Sequence, residues 1–214
     1  MGISKIEDYS LSDLKDTINK VHWTVESKKA VLLIHDMQRY FTAAFQENGN
    51  LYPACVDHIR TVKEACTEKG IPVVYSAQPE GQSLKQRGLL MDFWGDGIPA
   101  GAQEHNIVDE LQPDPGDTVM TKWRYSAFEN TGLEELMRKT GRDQIIVTGI
   151  YAHIGCLTTS LAAFMKGIKA FMISDATADF SLERHQYALD YVSRLSGMVL
   201  NTGQLVNGLC RELG

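Results

Sequence analysis

Cysteines are few, long apolar runs are missing, and positive charge is in deficit; each shortage narrows what the chain can be. Its 214 residues include four cysteines, Cys55, Cys66, Cys156 and Cys210. Their spacings match no zinc or redox motif, so they read as free thiols in a reducing compartment. No apolar stretch approaches membrane-spanning length, and the opening MGISKIEDYSLSDL lacks the apolar core of a signal peptide, so a cytoplasmic protein with no membrane partner is expected. Lys and Arg total 21 against 27 Asp and Glu, a net charge of −6. With no strongly basic stretch, nucleic acid and anionic membrane surfaces are not expected partners. A small anionic substrate would need individually placed cations. Neither G-x-G-x-x-G nor G-x-x-x-x-G-K-[ST] occurs, which leaves nucleotide binding little support. No second His or carboxylate stands at metal-ligand spacing beside His35 or His153, so no metal or other cofactor is expected.

What the chain does have is a series of short apolar runs. The central one is AVLLIHDMQRYF, residues 30–41, where Val31 to Ile34 read as a strand covered on both faces. Further strands are expected at 71–77, 117–122, 144–148, 170–174 and 197–200. Helical periodicity or caps place helices at 53–69, 130–139, 155–165 and 181–195, with another opening at Thr202. Ser181 caps the fourth of these, with Glu183 in its first turn. Strands alternating with helices imply right-handed βαβ units. The expected fold is α/β, a three-layer α/β/α arrangement with a six-stranded, mainly parallel, Rossmann-like sheet and helices on both faces. Residues 1–29 read as an arm packed on the domain through Tyr9, Leu11, Leu14 and Trp23. No composition break interrupts residues 30–214, which read as one domain. Residues 79–103 form a long loop, which in a compact α/β chain is usually functional or mobile.

In an open parallel sheet the carboxyl ends of the strands share one edge, and ligands bind there. That edge should collect Asp36, Gln78, Lys122, Tyr151, His153 and Asp175, with Arg87 and Trp94 brought over by the long loop. One carboxylic acid, one or two cations, an amide and aromatic walls suit a small dianionic ring. Each residue also has a structural reading. Asp36 can cap the loop after its strand, Lys122 can be a solvated strand end, Arg87 a loop arginine and Trp94 plain core. His35 and His153 read as hydrogen-bonded structural histidines, and Asp175 and Asp179 as caps of the following helix.

The fragments LLIHDMQRYF, VVYSAQP, RGLLMDFWGDG, TKWRYSAF, TGIYAHIGCLTTS and SDATADFS, in that order, resemble the isochorismatase family. More narrowly, they resemble the isochorismatases of catechol siderophore pathways. The likeness runs from about residue 3 to 205. Amidases of the wider superfamily use an Asp, a Lys and a Cys nucleophile six residues after the glycine ending the fourth strand. Here that position is Gly155. Cys156 lies one residue on, turned by about 100° if a helix begins there. The acid and the lysine are kept and the nucleophile is lost, which disfavours covalent acyl chemistry and an amidase.

The resemblance implies hydrolysis of the vinyl ether of isochorismate. Asp36 would be the acid that protonates the enolpyruvyl methylene, which requires it to keep a proton, and burial beside Phe41 and Trp94 favours that. Lys122 would orient Asp36 and bind substrate carboxylate. Gln78 and Arg87 would hold carboxylates, and Trp94 and Phe41 would wall the ring. Tyr151 and the backbone at Gly155 would meet the enolpyruvyl carboxylate or the attacking water, with room left by the absent Gly155 side chain. The family often has a cis peptide just after the fourth strand, here Ile150–Tyr151. Many relatives carry a C-terminal aryl carrier domain; this chain stops at Gly214, so a stand-alone enzyme or a fragment is expected, with a separate aryl carrier protein or synthetase as a partner. A homodimer is implied as well. Three alternatives are a phenazine-type hydrolase of 2-amino-2-deoxyisochorismate, an amidase dependent on Cys156 and a non-catalytic binding module.

Overall fold

A computed structural model describes residues 3–211. The first two residues of the expected arm and the last three of the expected domain lie outside them. Six strands form one sheet: β1 (Ala30–His35), β2 (Val73–Ala77), β3 (Thr118–Thr121), β4 (Gln144–Ile150), β5 (Lys169–Ala178) and β6 (Gly197–Leu200). The helices are α1 (Arg39–Thr42), α2 (Leu51–Glu68), α3 (Leu84–Arg87), α4 (Leu90–Trp94), α5 (Leu133–Lys139), α6 (Leu157–Met165), α7 (Leu182–Leu195) and α8 (Thr202–Arg211). The strand order is β3-β2-β1-β4-β5-β6 and every pairing is parallel.

Alternation along β1 explains the layers. Leu32 and Ile34 pack into one apolar cluster with Val56, Ile59 and Val62 of α2 and Leu205 and Leu209 of α8. Val31 and Leu33 face the other way, among Leu133 and Met137 of α5, Ala163 of α6 and Leu189 and Val192 of α7. All six β1 residues are buried, the signature of a central strand with helices on both sides. Tyr9, Leu11 and Trp23 lie against the first cluster and Leu14 against the second.

Several boundaries differ from the sequence reading. The expected loop at 79–103 contains α3 and α4, and Ser83 and Gln86 close a capping box at the start of α3. The helix expected from Gly155 is preceded by a π-type turn over Ala152–Cys156, and α6 begins at Leu157. The helix expected from Asn130 begins at Leu133, whose N–H is accepted by Thr131 Oγ1. Strand β5 runs four residues past Ser174, through a register shift against β4. Asp175 is therefore inside β5 rather than at its end.

The chain fills positions outward from β1 to β3 and then returns to the other side of β1 with β4. Loops leaving β1 and β4 diverge at this reversal and open a crevice at their carboxyl ends.

Candidate active site

That crevice is a partly open cavity with mostly apolar walls. Asp36, Phe41, Gln78, Arg87, Trp94, Lys122, Tyr151 and Gly155 all line it. The walls are completed by residues the sequence reading did not assign to the site, among them Tyr40, Leu90, Tyr125, Ile150 and Ile154.

Asp36 follows β1 with φ +51°, in the left-handed region that aspartate enters more readily than most side chains. Its N–H donates to the Ser76 carbonyl at 3.1 Å, fastening the turn to β2. The carboxyl group is 5% exposed as a residue. Ser76 donates its hydroxyl to Oδ1 at 2.7 Å, and Lys122 Nζ stands 2.8 Å from Oδ2. Phe41 and Trp94 share the cavity with Asp36, but its nearest neighbours are polar and one is a cation. Lys122, 1% exposed, also donates to the Arg124 carbonyl at 2.6 Å. An ammonium has three protons, so after these two partners one remains for a third.

His35 fills the space behind the pair. Its Nδ1 is 2.8 Å from the Ile150 carbonyl and Nε2 is 3.2 Å from that of Tyr125. Burial drives its pKa below the ordinary value and Lys122 pushes the same way, while Asp36 and the two carbonyls oppose. The ring also corrects the expectation for Gly155. A Cβ there would lie 2.0 Å from His35 Cε1, so the missing side chain makes room for the imidazole rather than for substrate.

Arg87 lies 4% exposed at the end of α3. It donates Nε to the Gly95 carbonyl at 2.8 Å and Nη1 to Gln78 Oε1 at 3.1 Å. A Cβ on Gly97 would lie 2.8 Å from the Arg87 guanidinium carbon. Burial lowers the Arg87 pKa, yet guanidinium stays charged in proteins. The aromatic wall is ordered by its own contacts. Trp94 donates its indole N–H to the Tyr125 hydroxyl at 2.7 Å, and Phe180 packs 4.3 Å from Tyr151 and stacks 6.4 Å from Trp94. Tyr151 donates its hydroxyl to the Phe41 carbonyl at 2.7 Å. Its proton is therefore committed to the protein, and burial pushes its pKa upward. The Ile150–Tyr151 peptide is cis.

Cys156 is fully buried in the second apolar cluster and does not line the cavity. Burial holds its thiol well above the ordinary pKa, and a nucleophilic sulfur must be a thiolate. His153 and the two downstream aspartates also stay outside. Asp179 accepts from His153 N–H and its ring Nδ1, each at 2.6 Å, and from Phe180 N–H. Asp175 accepts from the N–H and hydroxyl of Thr202. It caps α8, not the following helix α7, because β5 extends past it. Among the described residues no cluster of three or more His, Cys, Asp or Glu could hold a metal ion, and no helix is long and apolar enough to cross a membrane.

A parallel sheet with a buried carboxylate–ammonium pair, a buried guanidinium and aromatic walls at its reversal point is the frame of a small-molecule enzyme of the α/β class. The chain belongs to the isochorismatase family: the isochorismatase domain matches residues 30–204. It is accordingly a hydrolase of that family. It is 50% identical over 210 residues to the isochorismatase of Bacillus subtilis (strain 168), covering 98% of this chain and 67% of that protein. It is 45% identical to enterobactin synthase component B of Escherichia coli K12, covering 96% and 73%. Phenazine biosynthesis protein PhzD of Pseudomonas fluorescens is 41% identical, covering 96% and 99%. A cysteine hydrolase from Pseudomonas syringae pv. phaseolicola superposes with a TM-score of 0.81 at 20% identity, covering 92% of this chain and 98% of that one, a likeness of fold alone.

Proposed function

We propose that the chain hydrolyses the vinyl ether of isochorismate to pyruvate and 2,3-dihydro-2,3-dihydroxybenzoate, as a step in making a catechol siderophore. The observation that carries this reading is the setting of Asp36. Among the described residues it is the one carboxyl group lining an aromatic-walled cavity, it is paired with Lys122, and no cysteine shares that lining. Such a site has an acid and no nucleophile. The similarity to the Bacillus isochorismatase and the enterobactin synthase component supports the substrate.

Asp36 in its acid form gives its proton to the terminal methylene carbon. The vinyl π pair becomes the new C–H bond and an oxocarbenium ion results. The carboxylate left behind stabilises that cation at close range. Water adds to the cationic carbon and returns its surplus proton to Asp36. The hemiketal then transfers its hydroxyl proton to the ring oxygen and collapses to pyruvate and the diol. Lys122 fixes the Asp36 carboxyl and spends its third N–H on a substrate carboxylate. Arg87 and Gln78 hold a carboxylate from the loop side. Phe41, Trp94 and Tyr151 wall the ring and keep bulk water off it, and the Gly155 backbone borders the enolpyruvyl group. We also propose that the chain forms a homodimer, to be measured by sedimentation.

A second reading has one observation in its favour: PhzD is matched over 99% of its own length. Under it the same chemistry acts on 2-amino-2-deoxyisochorismate. The test is pyruvate release from both substrates by wild type and Asp36→Ala. Faster release from isochorismate, lost in the variant, upholds the proposal. Preference for the amino substrate selects the second reading. Pyruvate from neither sinks both, and undiminished release by Asp36→Ala sinks the assignment of the acid.

A further inference from the structure

Strand β2 ends at Ala77, whose carbonyl accepts the last ladder hydrogen bond, from Lys122 N–H. Gln78 follows, and its peptide groups have left the ladder. Their partners come from a side chain. Gln38 Oε1 accepts from Gln78 N–H at 2.7 Å, and Gln38 Nε2 donates to the Gln78 carbonyl at 2.9 Å. The second Nε2 proton goes to the His105 carbonyl at 2.7 Å. Gln38 is wholly buried. The amide orientation is dictated by its neighbours, since two carbonyls face the nitrogen and one N–H faces the oxygen. The side chain thus imitates the missing strand and grips both peptide groups of Gln78. Beyond that grip, Gln78 Oε1 accepts from Arg87 Nη1.

We infer that Gln38 is a positioning residue for substrate carboxylate: it fixes the Gln78 backbone, Gln78 aims Arg87, and the guanidinium meets the anion. Its neighbours permit little else. The Gln38 peptide is pinned on one side by its N–H to the Asp36 carbonyl at 2.7 Å and bridges to Ile107 on the other. The side chain therefore joins the acid turn, the end of β2 and the loop at 105–107 at one buried point. Removing the amide releases Gln78 from two of those directions while leaving Asp36 with its own partners, Ser76 and Lys122.

This inference rests on the proposed role of Arg87 and Gln78 in holding a carboxylate. The test is steady-state pyruvate release by wild type, Gln38→Met, Arg87→Ala and the double variant, with thermal unfolding of each. Gln38→Met keeps the volume and removes the amide. KM should rise about tenfold with kcat changing far less, the pattern of lost substrate positioning rather than lost chemistry. In the Arg87→Ala background the same substitution should raise KM less than about twofold, because the two changes share one path. An equal rise in both backgrounds, or a KM near wild type in Gln38→Met, overturns the inference. Should Gln38→Met fail to fold, Gln38→Glu takes its place, keeping an oxygen for Gln78 N–H while losing both donors. If neither folds, Gln38 serves stability alone and the inference falls. Failure of the reaction itself would show in the wild type, whereas failure of this inference shows only in variants of an active wild type.

Discussion

At the carboxyl ends of β1, β2 and β3, Asp36, Gln78 and Lys122 face a cavity; just after β5, Asp179 is wholly buried and faces the protein itself, while Asp175 within β5 is partly exposed and caps α8. The residue types are similar and the outcome is opposite. Asp179 takes two backbone N–H groups and the His153 ring, and Asp175 takes the N–H and hydroxyl of Thr202. Both tie segments together, and Asp179, with no exposed surface, has nothing left to offer a ligand. Asp36 is held by two side chains, Ser76 and Lys122, at the edge of open space. The difference comes from what covers each half. The N-terminal arm seals the β5 side, where Tyr9 donates to or accepts from His185 Nδ1 and accepts from Asp179 N–H. On the other half the short helices α3 and α4 bring Arg87 and Trp94 to the cavity without filling it. A carboxylate saturated by donors of the fold holds it together, and a carboxylate held by two side chains beside a cavity is available for chemistry.

The sharpest way to break this comparison is to remove one aspartate from each half. Asp36→Asn should cut pyruvate release by about 10²–10⁴-fold, the usual worth of a general acid, with a smaller loss of thermal stability because its amide oxygen still accepts a hydrogen bond and Asn tolerates the positive φ of this position. Asp179→Ala should do the reverse: buried donors lose their acceptor at about 1–3 kcal/mol for each unsatisfied group, and the melting temperature drops while the folded fraction keeps most of its turnover. Equal effects on rate and stability in the two variants would erase the distinction.

Arg87→Lys comes next. A lysine cannot reproduce a fork that already holds Gly95 and Gln78, so KM should rise about tenfold or more with a smaller change in kcat. An unchanged KM in saturation kinetics would move carboxylate binding elsewhere.

On the β5 side the test is acid. Burial lowers the His185 pKa from 6.5 to about 4, against opposition from Asp179 and Asp175. The neutral ring sits between the Tyr9 and Thr177 hydroxyls. The folded value lies below the unfolded one, so between these pH values the unfolded chain binds more protons. Stability should therefore fall as pH drops through that window, by about 3 kcal/mol in all. Denaturant titrations at several pH values would show it, and a slope as steep in His185→Gln would refute the assignment.

The smallest effect is expected at Cys156→Ala. The thiol is buried away from the cavity, so pyruvate release should stay within about twofold and stability within about 1 kcal/mol. Loss of turnover in this variant would restore a nucleophilic cysteine.

Much of this was legible in the residues. Four unbroken apolar residues before His35-Asp36 mark a strand buried on both faces, and repeating that pattern makes a parallel sheet whose carboxyl edge must gather whatever polar residues follow each strand. The likeness of six ordered fragments then named the family. The helices α3 and α4 escaped notice although Ser83 and Gln86 have the spacing of a capping box, the one local signal that could have revealed α3. Other features had no local signal. Nothing near Gly155 indicates that its missing side chain is occupied by an imidazole 120 positions earlier. Nothing near Tyr151 indicates that its hydroxyl is spent on the Phe41 carbonyl.

The sequence by itself determined the strands, their parallel order of covering and the set of residues delivered to one edge, because these depend on periodicity and on the connections that βαβ units allow. The tertiary structure alone decided which of those residues work on a ligand and which on the fold. That choice rests on hydrogen-bond partners drawn from distant segments: Gln38 gripping Gln78, Tyr9 reaching Asp179 and His185, and Lys122 meeting Asp36 across β2. A side chain's chemistry is set by what saturates it, and saturation is a property of packing in three dimensions.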